Sequence, residues 1–421
     1  MTIRPTRRAK WVLWSAIGLV LAATLTPGST STGPRPCGPL TVACGDTWGV
    51  DLALNLALFL PLGVAAFLNG HRLPRIALLG LLLSLLIETL QAALIPGRDP
   101  ALRDLLANTA GAAAGAVVAA AWPTLADPTP AEARRLSFLA GGGLAAWLLA
   151  AGLLLQPSLP ASEWYGQHRA ELGGFDRFAG VLLEATLDGE PLPSGRIAPE
   201  LVRRATHRAQ TTLEIRLGRS PERTRRLAPI VSVFDQRQRK IVVVGQLGAS
   251  LVASPRLRSE DWGLQSIRAR FPSLSPLGAG EATLEVTSAA GRISATELSS
   301  GSAAEVQSLG PADWWRLVSP RSLALSAGAA SLGAAAVLLL CFLPLGWLAA
   351  GSVTGRTGPL GWVAASAAAL PAAIALVPTP LGLPAAPLAS WVATITSWGL
   401  GWWALHRSRR GGAASVHRPA A

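Results

Sequence analysis

Charge is scarce in this chain. Only 14% of its 421 residues are Asp, Glu, Lys or Arg, where soluble domains carry about a quarter. The shortfall excludes a single water-soluble globule. It sits in long apolar runs, which read as membrane spans. Cysteine is scarce too, with three in the chain, so no disulfide-dense scaffold can form. Cys341 lies in an apolar run, and Cys37 and Cys44 share one short loop. If that loop is extracytoplasmic, the pair forms either a small disulfide or two free thiols. The five histidines are scattered, and no Cys/His spacing suits zinc. The expectation is no metal and no cofactor.

What is abundant is apolar and cationic. Half the residues are hydrophobic, mean hydropathy is +0.39, and the formal net charge is +13. Such a charge suits nucleic acid in a soluble protein. Here the basic residues lie beside apolar spans, where they set topology, so no nucleic-acid partner is expected.

Eight spans are expected, at about Trp11–Thr26, Val50–Leu68, Ile76–Ile95, Leu102–Trp122, Leu136–Leu155, Ser322–Leu345, Leu360–Val377 and Leu388–Leu405. Each approaches the roughly 20 residues that cross a hydrocarbon core. Orientation follows from short basic loops. The N-terminus, the loop with His71, Arg72 and Arg75, the connection ending in Arg134 and Arg135, Arg356, and the C-terminal Arg407, Arg409 and Arg410 all fall on one side of an eight-span chain. That side is then cytoplasmic. Both termini are cytoplasmic, the location is the inner (plasma) membrane, and residues 156–319 are extracytoplasmic. Trp11, Trp14, Trp122, Trp402 and Trp403 fall at inner ends, and Trp48, Trp314 and Trp315 at outer ends, as headgroup-level indoles should.

From about Gly173 to Leu298 the pattern changes to period two. Thr212–Leu217, Ile230–Phe234, Ile241–Val244 and Thr283–Thr287 read as strands bounded by turn or charged residues. Short strands between Gly, Pro and Ser turns predict an antiparallel β-sandwich. The stretch Gly174-Phe175-Asp176-Arg177-Phe178-Ala179-Gly180-Val181 with these strands resembles the concanavalin A-like, laminin-G-type sandwich. That likeness implies glycan binding. The paired carboxylates of its glycan-cleaving members are absent, which favours binding over hydrolysis. Arg and Lys also dominate Arg203–Lys240, either a patch for an anionic polymer or lipid or a solvated sheet face.

The fold class is therefore an α-helical integral membrane protein of about eight transmembrane helices with an inserted extracytoplasmic β-sandwich. The parts are residues 1–155 (five helices), the sandwich 160–310, helices in 320–406, and a cytoplasmic tail 407–421.

Ionisable groups inside spans are costly and face a bundle interior or a wet cavity. Asp51 and Asn55 are four apart, Glu88 and Gln91 three apart, and Asp104 and Asn108 four apart, so each pair shares a helix face. With Arg98 they are expected at one depth in the outer leaflet. Gly111 and Gly115 form a G-x-x-x-G, which lets another helix approach closely. A partner for Glu88 is expected from Arg98 or Arg103. Asn55 and Asn108 also fit simple hydrogen bonding between helices.

Asp51-Leu-Ala-Leu-Asn55-Leu-Ala-Leu-Phe59-Leu-Pro61-Leu-Gly63, then Glu88-Thr-Leu-Gln91, Pro96-Gly97-Arg98 and Asp104-Leu-Leu-Ala-Asn108 through Gly111 and Gly115 resemble the motifs of VanZ-like membrane proteins, over about residues 10–122. The family's namesake is associated with resistance to teicoplanin, so the resemblance implies a cell-envelope role. The expected partners are membrane lipids, a lipid-linked cell-wall intermediate and envelope glycan. No nucleophile motif is visible, which leans against an enzyme. Two alternatives stay open: an intramembrane enzyme with Glu88 or Asp104 as general acid–base, and a membrane-anchored glycan-binding or sensing module.

Overall fold

The computed structural model describes residues 6–25, 43, 45–95, 101–170, 174–352, 381, 383–384 and 386–416, the last nine by backbone alone. Arg98, Cys37, Cys44 and the expected span Leu360–Val377 lie outside the described residues. The chain divides into two compact units, residues 1–129 with 262–264, and residues 130–261 with 265–421.

The first unit is helical: α1 (Arg7–Thr24), α2 (Trp48–Leu68), α3 (Leu73–Leu94) and α4 (Leu102–Ala126). The Thr6 hydroxyl accepts the Ala9 N–H at 3.2 Å and starts α1, as an N-cap should. Pro74 lies in the first turn of α3, where a missing N–H is harmless. The core joins Phe59, Leu62, Ala65 and Ala66 of α2 to Ile76 and Ile87 of α3, Ala112 and Ala116 of α4, and Ala16 and Val20 of α1. The α2–α4 contact uses small residues. A methyl on Gly111 would overlap the Leu56 carbonyl oxygen, one on Gly115 the Leu60 carbonyl oxygen, and one on Gly63 the Ala112 carbonyl oxygen. The Leu56–Gly111 and Leu60–Gly115 pairs rise together along the chain, so α2 and α4 run parallel and nearly touch backbone to backbone.

On α3 the side chains of Leu78, Leu81, Leu82, Leu85 and Leu86 stay exposed. In water such a stripe would be a large apolar patch; on a helix of this length it is a lipid-facing surface.

The second unit adds α5 (Pro130–Leu154), α6 (Pro199–Arg208), α7 (Trp314–Leu317), α8 (Ala327–Gly351) and α9 (Leu388–Val416). Five of the described helices, α2 to α5 and α8, are long and apolar enough to cross a membrane. Five of the eight expected spans are thus found among the described helices. α1 carries Arg7, Arg8 and Lys10 within its 18 residues. The sixth span starts at Ala327, five residues later than expected, because Ala324–Leu325 pairs with a strand instead. Hydropathy cannot distinguish that apolar pair from a helix start.

Among the described residues, thirteen strands form two sheets. They are β1 (Trp164–His168), β2 (Val181–Leu187), β3 (Glu190–Pro191), β4 (Gly195–Arg196), β5 (Thr211–Gly218), β6 (Thr224–Asp235), β7 (Lys240–Gly248), β8 (Ser250–Pro255), β9 (Arg268–Phe271), β10 (Glu281–Ala289), β11 (Arg292–Glu297), β12 (Glu305–Ser308) and β13 (Ala324–Leu325). One sheet runs β13-β9-β8-β7-β6-β1-β4 and the other β12-β11-β10-β5-β2-β3. Pairing is antiparallel except that β13 lies parallel to β9. β5 and β10 alternate buried and open positions, the signature of a sheet with one covered face. Every residue of β8 is buried, as are Ile241 to Gln246 of β7. The helix α6 was not anticipated by the period-two reading. It buries Leu201, Val202 and Ala205 and exposes Arg203, Arg204, His207 and Arg208.

Candidate functional site

Three helix ends in the first unit carry the polar groups. Asp51 lies in the first turn of α2, Glu88 and Gln91 in the last two turns of α3, and Arg103 and Asp104 in the first turn of α4. The chain turns back between α3 and α4, and Glu88 secures that return: its Oε2 accepts the Ala101 N–H at 2.9 Å. Ala101 directly precedes α4, so Glu88 caps an otherwise unpaired helix-terminal donor. The carboxylate also suits the positive end of the α4 dipole.

The parallel packing of α2 on α4 sets Asp51 beside the start of α4. Arg103 reaches both carboxylates, with Nη2 3.5 Å from Asp51 and Nε 3.2 Å from Asp104. The guanidinium side chain is 11% exposed, against 46% for Asp51. One fork thus spans two acids in a partly desolvated place, where charge-assisted bonds are strong.

One turn deeper, roughly 6 Å along the helices, Asn108 Nδ2 donates to Ser84 Oγ at 2.9 Å. Both residues are buried. Among the described residues, Asn108 Oδ1 has no hydrogen-bond partner, and a buried acceptor in that state costs about 1–3 kcal/mol. Gln91 turns toward α1, where its Nε2 donates to Thr24 O at 2.8 Å.

The structure therefore joins Asp51 with Asp104 through Arg103, and ties Glu88 to the same end of α4. Asn108 and Gln91 form separate bonds to α3 and α1. Asn55 stays half-buried on α2, a turn beyond Asp51. Gly111 and Gly115 face α2. Three partners escaped the sequence reading as site residues: Ser84, Thr24 and, as the Asp51–Asp104 bridge, Arg103. Ser84 had a signal in its spacing four residues before Glu88. Thr24 had none, because Gln91 uses its backbone carbonyl.

Among the described residues no group of three His, Cys, Asp or Glu could hold a metal.

Residues 6–123 match the VanZ/LLP1 family model. This stretch is VanZ-like. The VanZ-like segment includes α1, α2, α3 and most of α4, and with them every polar pair just described. It ends before α5 and the β-sheets. No curated protein and no solved structure matches the chain.

The β-sheet region holds its own candidate, a groove of about 680 Å³. Leu192, Ile197 and Leu201 line it, with Arg196 and Arg204 among its polar residues. Arg196 pairs with Glu163 at 2.5 Å and Arg204 with Glu190 at 3.2 Å. Tyr165 donates its hydroxyl to Glu163 at 2.7 Å, and that bond to the carboxylate, followed by burial, raises the phenol pKa.

Proposed function

We propose that the VanZ-like segment receives a polar headgroup, or the head of a lipid-linked cell-wall intermediate, at the outer leaflet. The β-sheet region, extracytoplasmic in this reading, binds envelope glycan. Both termini are then cytoplasmic, in the inner (plasma) membrane. The observation that carries the reading is the Asp51–Arg103–Asp104 bridge beside Glu88, at the common end of three packed helices. Glu88 and the Arg103 guanidinium are largely buried there, and buried charge is expensive for a bundle that needs only packing. The unpaired Asn108 carbonyl, one turn deeper, supplies an acceptor for a donor group such as a hydroxyl or an amine.

The groove beside Leu192 and Ile197 supports glycan binding by its apolar floor and charged rim, which fits the general form of a small-ligand site. The concanavalin A-like resemblance belongs to this proposal as well. The likeness of residues 6–123 to the VanZ/LLP1 family supports a cell-envelope role, including resistance to a teicoplanin-type glycopeptide.

The test replaces Glu88 by Gln and Asp104 by Asn, singly, in a host where deleting the gene changes glycopeptide susceptibility. Protein levels are matched by immunoblot. Each variant should reproduce a large part of the deletion phenotype. Wild-type susceptibility in both variants would overturn the reading.

A further inference from the structure

A second gathering of charge lies in the second unit, where the β-sheets join the helices. Past the end of α5, the Ser158 N–H donates to Arg256 O at 3.3 Å, and the Arg258 N–H donates to Gln156 O at 2.8 Å. Residues 256–258 are thus fastened to the exit of α5. The Pro311–Asp313 turn and α7 lie against both α5 and α8. Trp147 of α5 meets Trp314 edge-on, with centroids 5.1 Å apart and planes at 89°. Trp315 packs on Gly333 of α8. Arg258 is thus held beside the end of α5, and Arg321 lies five residues before Ser326, the N-cap of α8.

Charge in this region is unbalanced. Lys240 with segments 256–261, 265–268 and 313–321 brings six cations and three carboxylates. Asp313 is buried and Glu260 half-buried, while Asp261 stays exposed with its oxygens engaged. Glu260 holds Lys240 at 3.0 Å and Arg256 at 3.9 Å. Asp261 accepts from Arg256 and from the Ser158 hydroxyl at 2.6 Å. Asp313 lies 3.7 Å from Arg316. Burial first, and then Arg268 and Arg256, lower the Lys240 pKa against the pull of Glu260. Arg258 and Arg321 remain exposed.

We propose that this collar is a docking surface for anionic phospholipid headgroups, with Arg258 and Arg321 meeting the phosphates. Charge complementarity, and the place of both arginines next to the ends of apolar helices, favour a lipid over a soluble anion. The surface is separate from the Asp51–Arg103–Asp104 site and stands whether or not that site binds a ligand. It follows that the β-sheet region is held against the bilayer by its own basic rim as well as by its flanking helices.

The full chain, placed in nanodiscs of phosphatidylethanolamine with a minor share of phosphatidylglycerol, is released and its retained lipids counted by native mass spectrometry. Wild type should retain phosphatidylglycerol well above its bulk share. R258Q and R321Q should each lower that enrichment about fivefold, as expected for one cation near a charged surface. R203Q, an equal charge loss on exposed α6, should leave it unchanged, and near-UV circular dichroism should show all variants folded. Bulk-like retention by wild type, or equal retention by R258Q/R321Q, would overturn the proposal. So would loss of enrichment in millimolar inorganic phosphate, which would identify a site for the soluble anion.

Discussion

Replacing Gly115 by Ala probes the α2–α4 contact that positions Asp51 beside Arg103. The added methyl would overlap the Leu60 carbonyl oxygen and come within 3.0 Å of Leu60 C and Val64 N. All three are backbone atoms, so no rotamer change relieves the clash and the helices must separate. Overpacking of this kind costs about 1–3 kcal/mol. Ala gains about 1 kcal/mol over Gly inside a helix, which leaves a net loss of up to about 2 kcal/mol. Gly142 of α5 is the internal control, because a methyl there meets nothing within 4 Å. Only the helix-propensity gain applies to G142A, so stability should hold or rise by up to about 1 kcal/mol. Thermal unfolding of both variants in one detergent gives the comparison. The expected result is a lower midpoint for G115A and an unchanged or higher one for G142A. Equal shifts, or a stabilised G115A, would refute the close-packing argument.

Further outcomes can be read from single interactions. S84A and N108A, combined in a double-mutant cycle, should show a coupling of about 0.6–1.7 kcal/mol by reversible unfolding in detergent; zero coupling would remove the Asn108–Ser84 bond. R103Q leaves Asp51 and Asp104 without their shared guanidinium and should cost about 1–3 kcal/mol in the same assay, with R103K restoring only part because ammonium lacks the fork. Asp235 is fully buried. Burial raises its pKa, but the N–H groups of Arg239 and Arg237 and the Arg239 guanidinium outweigh that and leave the carboxyl lowered. A lowered folded pKa gives stability that is present above the unfolded carboxylate range and lost as pH falls through the folded value. D235N should therefore cost about 1.5–3 kcal/mol at neutral pH, and flatten the loss of stability that wild type shows below about pH 4. A D235N profile parallel to wild type would contradict this.

Much of the helical layout was legible because length and apolarity are local properties. The second to fourth spans coincide with α2, α3 and α4 within about four residues at each end. Thr212–Leu217 and Thr283–Thr287 fall inside β5 and β10, where alternation reflects a single buried face. Legibility failed where a partner decides. Ala324–Leu325 is apolar enough for a span, but β9 claims it as a strand. The short helix α6 lacks length and apolar runs, and shows itself only by the face it buries.

The polar site divides in the same way. Spacing alone placed Asp51, Glu88, Asp104 and Asn108 on faces of three helices, because a helix repeats every 3.6 residues whatever surrounds it. Which groups meet was decided by packing. Glycines let α2 and α4 approach in parallel, and that register hands Asp51 to Arg103 and leaves Glu88 to the Ala101 N–H. Periodicity belongs to one helix and can be counted along a chain. Pairing belongs to the distance between two helices, which the side chains of both set together.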